Sequence, residues 1–303
     1  MEIYVRVAVC IPALMRTYKR LYQNHLDNLI GPNDADIFVY TSNYNDQFDE
    51  EYDPLTFEAE IKSVYKERLK KIQIVSNEFI DDVILNSRED SWPKLSIEKI
   101  LNGLDKDPGS IKRKNDWINF YRTFQCNEMV KLYEKENNFN YDVVIKFRPD
   151  LQLYKKLELD KINIFDKFLY TFGNNKDEYL DEYIDFGDNF LKESFYSISK
   201  QEYLSTKHYI NTPFLNMFVF GDRKVFDIFC QTYFQFGKLT LRSANNEGTK
   251  RLTIKQEHQI KIQLQNNGIG ICNIMDYPST IIRDKNRQGN RIIHKFNNIF
   301  GPY

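Results

Sequence analysis

The apolar run Val143-Val144-Ile145-Lys146-Phe147 stops abruptly at Arg148-Pro149-Asp150. A strand buried on both faces reads as a continuous apolar run rather than an alternating one, and such strands belong to mostly parallel sheets. A cation, a rigid proline and a carboxylate at its end place charge at a sheet edge. In open α/β sheets that edge, at the carboxyl ends of the strands, is where ligands bind. The same texture recurs upstream. Val5 to Ile11 is β-branched and closed by Pro12, Asp36 to Tyr40 reads as a second strand, and Lys71 to Val75 as a short third. Between them, Leu21, His25 and Leu29 fall at helical spacing within Arg16 to Leu29. Gly31-Pro32-Asn33-Asp34 is a turn, and Phe57 to Leu69 a further helix.

Downstream, Asp116 to Asn137 carries an apolar stripe of Trp117, Phe120, Tyr121, Phe124, Met129 and Leu132, with Asp116 as a suitable N-cap. Residues 86–115 break the pattern with Pro93, Gly103 and Asp107-Pro108-Gly109, and read as an inserted flap. Strands are expected over 167–172, 215–220 and 269–274, and helices over 189–204, 223–236 and 255–265. The tail from Arg283 to Tyr303 is basic and Asn-rich. Strands alternating with helices predict one α/β domain over 1–303, with a Rossmann-type, mostly parallel sheet and helices on both faces. Its halves are 1–150, which holds the insertion, and 151–303.

Composition removes several functions. Net charge is −1 and no basic stripe interleaves with aromatics, so nucleic acid is not an expected partner. Cys10, Cys126, Cys230 and Cys272 form no C-x-x-C pair and read as buried free thiols in a reducing compartment. The apolar start, Met1 to Pro12, is too short to span a membrane and lacks the marks of a signal peptide. A cytoplasmic location is therefore expected. No G-x-G-x-x-G or G-x-x-x-x-G-K-[ST] occurs, which argues against a dinucleotide or P-loop enzyme.

In extended backbone Asp150 and Gln152 point to one side and can share a ligand. Their hard oxygens suit Mg²⁺ or Mn²⁺, whereas an Arg148–Asp150 ion pair is the structural alternative. Arg16 has the fork geometry for phosphate, or else starts its helix on the solvent side. Thr41 and Ser42 are ordinary turn formers. Asp185 and Asp188 flank Gly187, and Asp188 would also cap the helix that follows. His25 reads as a packing residue, and a lone histidine such as His258, beside Glu257 at a helix start, as an ordinary surface or packing residue.

Tyr121-Arg122-Thr123-Phe124, Asn127-Glu128 and the run from Tyr141 to Leu151 resemble a family of GT-A-like glycosyltransferases of bacterial polysaccharide clusters and large DNA viruses. That family has a helix, a short spacer and an apolar strand ending in Arg-x-Asp-Leu. Val7 to Thr17 is similar to its first strand and Arg-Thr loop, Asp185 to Asp188 to its acceptor-side element, and Glu257 to Ile269 to its C-terminal ending. The resemblance implies transfer of a sugar from a nucleotide-sugar donor to a hydroxyl of a glycan acceptor, with Mn²⁺ or Mg²⁺. It implies Pro12, Arg16, Thr17, Thr41, Ser42, Arg148 and Asp150 around the donor, and Asp150, Gln152 and a C-terminal histidine around the metal, His258 with His294 in reserve. Asp185 is implied as catalytic base, with Asp188 beside it. Lys146, Phe147, Pro12-Ala13-Leu14 and Gln152 depart from the family pattern. The alternatives are a sugar nucleotidyltransferase, disfavoured by a first loop without glycine, and a non-catalytic carbohydrate- or protein-binding module.

Overall fold

A computed structural model of the chain describes residues 5–45, 50–86, 108–162, 164, 167–172, 216–234, 256–274 and 279–281. In chain order these form β1 (Val7–Ile11), α1 (Tyr18–His25), β2 (Asp36–Ser42), β3 (Tyr44–Asn45), β4 (Glu50–Glu51), α2 (Pro54–Tyr65), β5 (Leu69–Val75) and α3 (Asn77–Asn86). After these come α4 (Pro108–Asn137), β6 (Val143–Phe147), β7 (Leu151–Leu153), β8 (Phe168–Phe172), β9 (Phe218–Asp222), α5 (Arg223–Cys230), α6 (Gln256–Asn266), β10 (Gly270–Ile274) and β11 (Ser279–Ile281).

Seven strands make one sheet in the order β10-β8-β9-β6-β1-β2-β5. β1 is parallel to β2 and β6, β2 to β5, and β10 to β8, whereas β9 is antiparallel to both β6 and β8. From β1 the chain builds outward through β2 and β5 on one side, then crosses to β6 on the other. The carboxyl ends of β1 and β6 therefore flank a topological switch point. The expected mostly parallel α/β sheet with helices on both faces is what forms. β9 is a reversal that its sequence does not announce. It is buried like the parallel strands of the sheet and so carries the same unbroken apolar texture.

Side chains alternate between two cores. On one face Val9, Ile11, Val39 and Ile145 pack against Tyr18 of α1 and Phe57 and Ile61 of α2. On the other face Ala8, Phe38, Tyr40 and Val144 meet Trp117, Phe120 and Val130 of α4, Phe229 of α5 and Leu264 of α6. Local chemistry fixes the helix starts. Pro54 opens α2 and Asp53 accepts the Thr56 N–H at 2.8 Å. Asp222 ends β9 and caps α5 through the N–H groups of Lys224 and Val225 at 2.8 and 2.9 Å. Gly270 starts β10 because a Cβ there would collide with the Phe168 ring. All four cysteines are buried and free.

Several boundaries differ from expectation. The helix expected from Asp116 begins at Pro108, so the second half of the expected Asp107-Pro108-Gly109 turn is its first turn; proline tolerates N1 because that N–H has no helical partner. Within the expected flap 86–115, residues 108–115 are thus helical, and 87–107 lie outside the described residues. Thr41 and Ser42 belong to β2 rather than to a turn, because β5 continues alongside them, pairing Thr41 with Ile74 and Ser42 with Val75.

Candidate functional site

After Phe147 the chain turns, with the Leu151 N–H donating to the Arg148 carbonyl at 3.1 Å. Pro149 occupies the second position, where its fixed φ suits a tight turn. The Arg148 N–H donates to the Met217 carbonyl at 3.2 Å and ties the turn to the residues leading into β9. The turn drives Asp150 inward until its side chain is 2% exposed. Both of its oxygens accept from Arg148, Nε to Oδ1 at 3.0 Å and Nη2 to Oδ2 at 2.6 Å. Arg16, from the loop after β1, adds Nη1 to Oδ2 at 3.4 Å. Thr17 closes that loop, and its carbonyl accepts the Arg20 and Leu21 N–H groups as α1 begins. One sealed carboxylate thus holds two arginines whose side chains stay 21% and 27% exposed. The triad carries one net positive charge.

Helix α1 supports this turn from behind. The Asn24 amide donates to the Leu153 carbonyl at 2.7 Å and accepts the Leu153 N–H at 2.8 Å, acting as a neighbouring strand would. The other edge of β7 pairs with β11. The His25 ring packs edge-on to Phe147 at 4.6 Å. Its Nε2 lies 3.0 Å from the Leu151 carbonyl, which can only accept, so Nε2 carries the proton. Nδ1 is buried with no hydrogen-bond partner among the described residues. Burial lowers the His25 pKa to about 4 against smaller opposing effects of the Leu151 carbonyl and Asp150, so the ring is neutral near pH 7.

Polar side chains gather along the same edge. Ser42, at the end of β2, accepts from Arg122 Nη2 of α4 at 3.1 Å, and both residues are buried. Asn43 follows, with its amide donating to the Tyr52 carbonyl at 3.2 Å. Lys146, buried near the end of β6, donates to the carbonyl and side-chain oxygens of Asn216, each at 2.5 Å. β2 and β6 flank β1, so their ends lie about 10 Å apart. Burying polar groups is costly, so their concentration at one edge marks a place that uses them.

Of the residues expected around a donor, Pro12, Arg16, Thr17, Thr41, Ser42, Arg148 and Asp150 all lie at this carboxyl edge. Arg16, Arg148 and Asp150 are brought into direct contact. Thr41 is buried at the end of β2, where its hydroxyl donates to the Ser42 carbonyl at 3.2 Å. Gln152 pairs in register with Thr280 and is half-buried, on the face of β7 opposite buried Leu151 and Leu153. Asp185 and Asp188 lie outside the described residues, and so does the side chain of His258, whose backbone sits in α6. Asn24, Arg122 and Lys146 were not among the expected site residues. A lysine inside an apolar strand and an arginine inside an apolar helix stripe were their visible signals. Nothing in the pattern of α1 marked Asn24.

The donor set around Asp150 does not fit a divalent cation. Its oxygens face two guanidiniums, and among the described residues no three His, Cys, Asp or Glu side chains are grouped to hold a metal ion. Nor is any helix among them long and apolar enough to cross a membrane.

Fold and site define an α/β protein whose sheet presents a cation-bearing edge at its topological switch point. No family model matches the sequence, and no curated protein matches it. Among solved structures, the chain aligns with the apo form of the glycosyltransferase GlyE from Streptococcus pneumoniae TIGR4 at 8% identity and a TM-score of 0.38. The alignment covers 89% of this chain and 46% of that one, so the chain spans about half its length. A likeness of that degree carries no argument about activity.

Proposed function

We propose that this chain is a glycosyltransferase of GT-A-like architecture that moves a sugar from a nucleotide-sugar donor to a hydroxyl of a glycan. The observation that carries the reading is the pair Arg16 and Arg148, held on buried Asp150 at the ends of adjacent strands β1 and β6. In such a transfer the acceptor oxygen bonds to the anomeric carbon and the bond from that carbon to the diphosphate oxygen breaks. The electron pair leaves with the nucleoside diphosphate, and the acceptor proton passes to a base. Charge grows on the diphosphate, and fixed guanidinium forks stabilise it where it grows. Pro12 to Thr17, Thr41 and Ser42 would border the nucleoside. A carboxylate suits the base, and Asp185, with Asp188 beside it, is assigned that role on sequence alone.

A non-catalytic sugar-binding module is the second reading, favoured by the enclosure of Asp150 within an ion pair. Thermal unfolding with UDP-, GDP- and dTDP-sugars, followed by assay of nucleoside diphosphate release with a glycan acceptor, separates the two. The transferase reading expects stabilisation by at least one donor, turnover, and loss of turnover in Asp150→Ala with the fold retained. Unchanged turnover in that variant would sink the site assignment. Stabilisation by no nucleotide sugar would favour the module.

A further inference from the structure

Resting on the donor reading above, we infer that the carboxyl edge takes the donor's diphosphate through Arg16 and Arg148 without a divalent metal on Asp150. In this arrangement Asp150 is the positioning residue of the two guanidiniums.

Three observations converge. The first is direction. Asp150 is 2% exposed, whereas Arg16 and Arg148 keep 21% and 27% of their side-chain surface open. An arriving anion therefore meets arginine side chains rather than the carboxylate. The second is occupancy. Arg148 takes both carboxylate oxygens in a bidentate fork, and Arg16 shares Oδ2. A cation bound there would have to displace these donors and sit against two positive groups. The third is the chemistry of residue 152. Residue 152 is a neutral glutamine, and no metal-binding group of three side chains occurs among the described residues. Hard divalent cations take several oxygen ligands, commonly carboxylates.

Charge makes the same point. A nucleotide sugar carries two negative charges on its diphosphate, the number a divalent ion would neutralise. Two guanidiniums can meet that charge directly, since arginine matches phosphate bidentately. Asp150 prevents the two arginines from splaying apart under mutual repulsion when no anion is bound. It trades some of the site's positive charge for fixed geometry, which lowers the ordering cost of binding.

The test is calorimetric titration of the full chain with UDP, GDP, dTDP and inorganic pyrophosphate. Each is run once in EDTA and once in Mn²⁺ or Mg²⁺, with Mn²⁺ alone as a further titrant. The expected result is that at least one nucleoside diphosphate binds in EDTA as tightly as with metal, and that Mn²⁺ alone shows no binding. Arg148→Lys keeps the charge and loses the fork, and should bind that nucleotide about tenfold more weakly. Binding seen only with metal, and lost in Asp150→Asn, overturns this inference while leaving the donor reading standing. If no diphosphate binds under either condition, both fall. The comparison in EDTA uses the unaltered chain, so the outcome does not depend on a variant folding.

Discussion

At the scale of residues, the Arg16–Asp150–Arg148 triad is unequal in a way that can be measured. The carboxylate is sealed, while both arginine side chains reach solvent. Removing one partner of a buried pair costs most when the group left behind cannot regain water, because an uncompensated buried charge costs about 3–5 kcal/mol. Arg148→Ala takes the bidentate fork away from Asp150, whose side chain is only 2% exposed. Asp150→Ala leaves two arginines that can turn outward. Urea unfolding should therefore place Arg148→Ala about 2 kcal/mol or more below Asp150→Ala in stability. Equal losses would mean that the carboxylate gains little from the fork. The identities Arg148 and Asp150 were legible in the sequence because a charged turn ended an apolar strand. Their mutual engagement was legible only as one of two readings, since spacing does not say whether a carboxylate serves a metal or a neighbouring arginine.

At the scale of elements, α1 and β7 form a unit that no periodicity revealed. Leu21, His25 and Leu29 at helical spacing showed that α1 packs, but not that Asn24 and His25 would pair with the backbone of a strand. The reason is that β7 has three residues, too few for a periodic signal, and its partner β11 lies far along the chain. His25 makes this unit sensitive to acid. Its pKa is about 4 in the fold, lowered by burial, against an ordinary value of 6.5. Between those values the unfolded chain binds a proton that the folded chain does not, so stability falls as pH falls through that window and levels off on either side. The drop attributable to His25 is about 3 kcal/mol. His25→Gln keeps a donor for the Leu151 carbonyl and removes the titration. Urea unfolding from about pH 7 to about pH 4 should give a shallower decline in the variant than in the parent. Parallel declines would show that acid acts elsewhere.

At the scale of the whole molecule, the alternation of apolar strands and helices was enough to read a mostly parallel sheet, because strands covered on both faces need no polar side. The reversal of β9 was not readable, since burial erases the alternation that distinguishes strand environments. That topology puts the ends of β1, β2 and β6 side by side. It thereby gathers Arg16, Arg122, Lys146 and Arg148 along one edge of a chain whose net charge is only −1. Four cationic side chains thus share one edge, with Asp150 offsetting one of their charges. Arg16 and Arg148 reach solvent, whereas Arg122 and Lys146 are buried, so salt acts mainly on the first pair. The Debye length shrinks from about 10 Å at 0.1 M to about 3 Å at 1 M, and exposed charges are screened far more than buried ones. Raising NaCl across that range should weaken nucleoside diphosphate binding about tenfold while changing the thermal stability of the unliganded chain little, since apolar cores on both faces hold the sheet. Calorimetric titration at several salt concentrations reads this directly. Affinity independent of salt would assign binding to nucleoside contacts and remove the two arginines from the account.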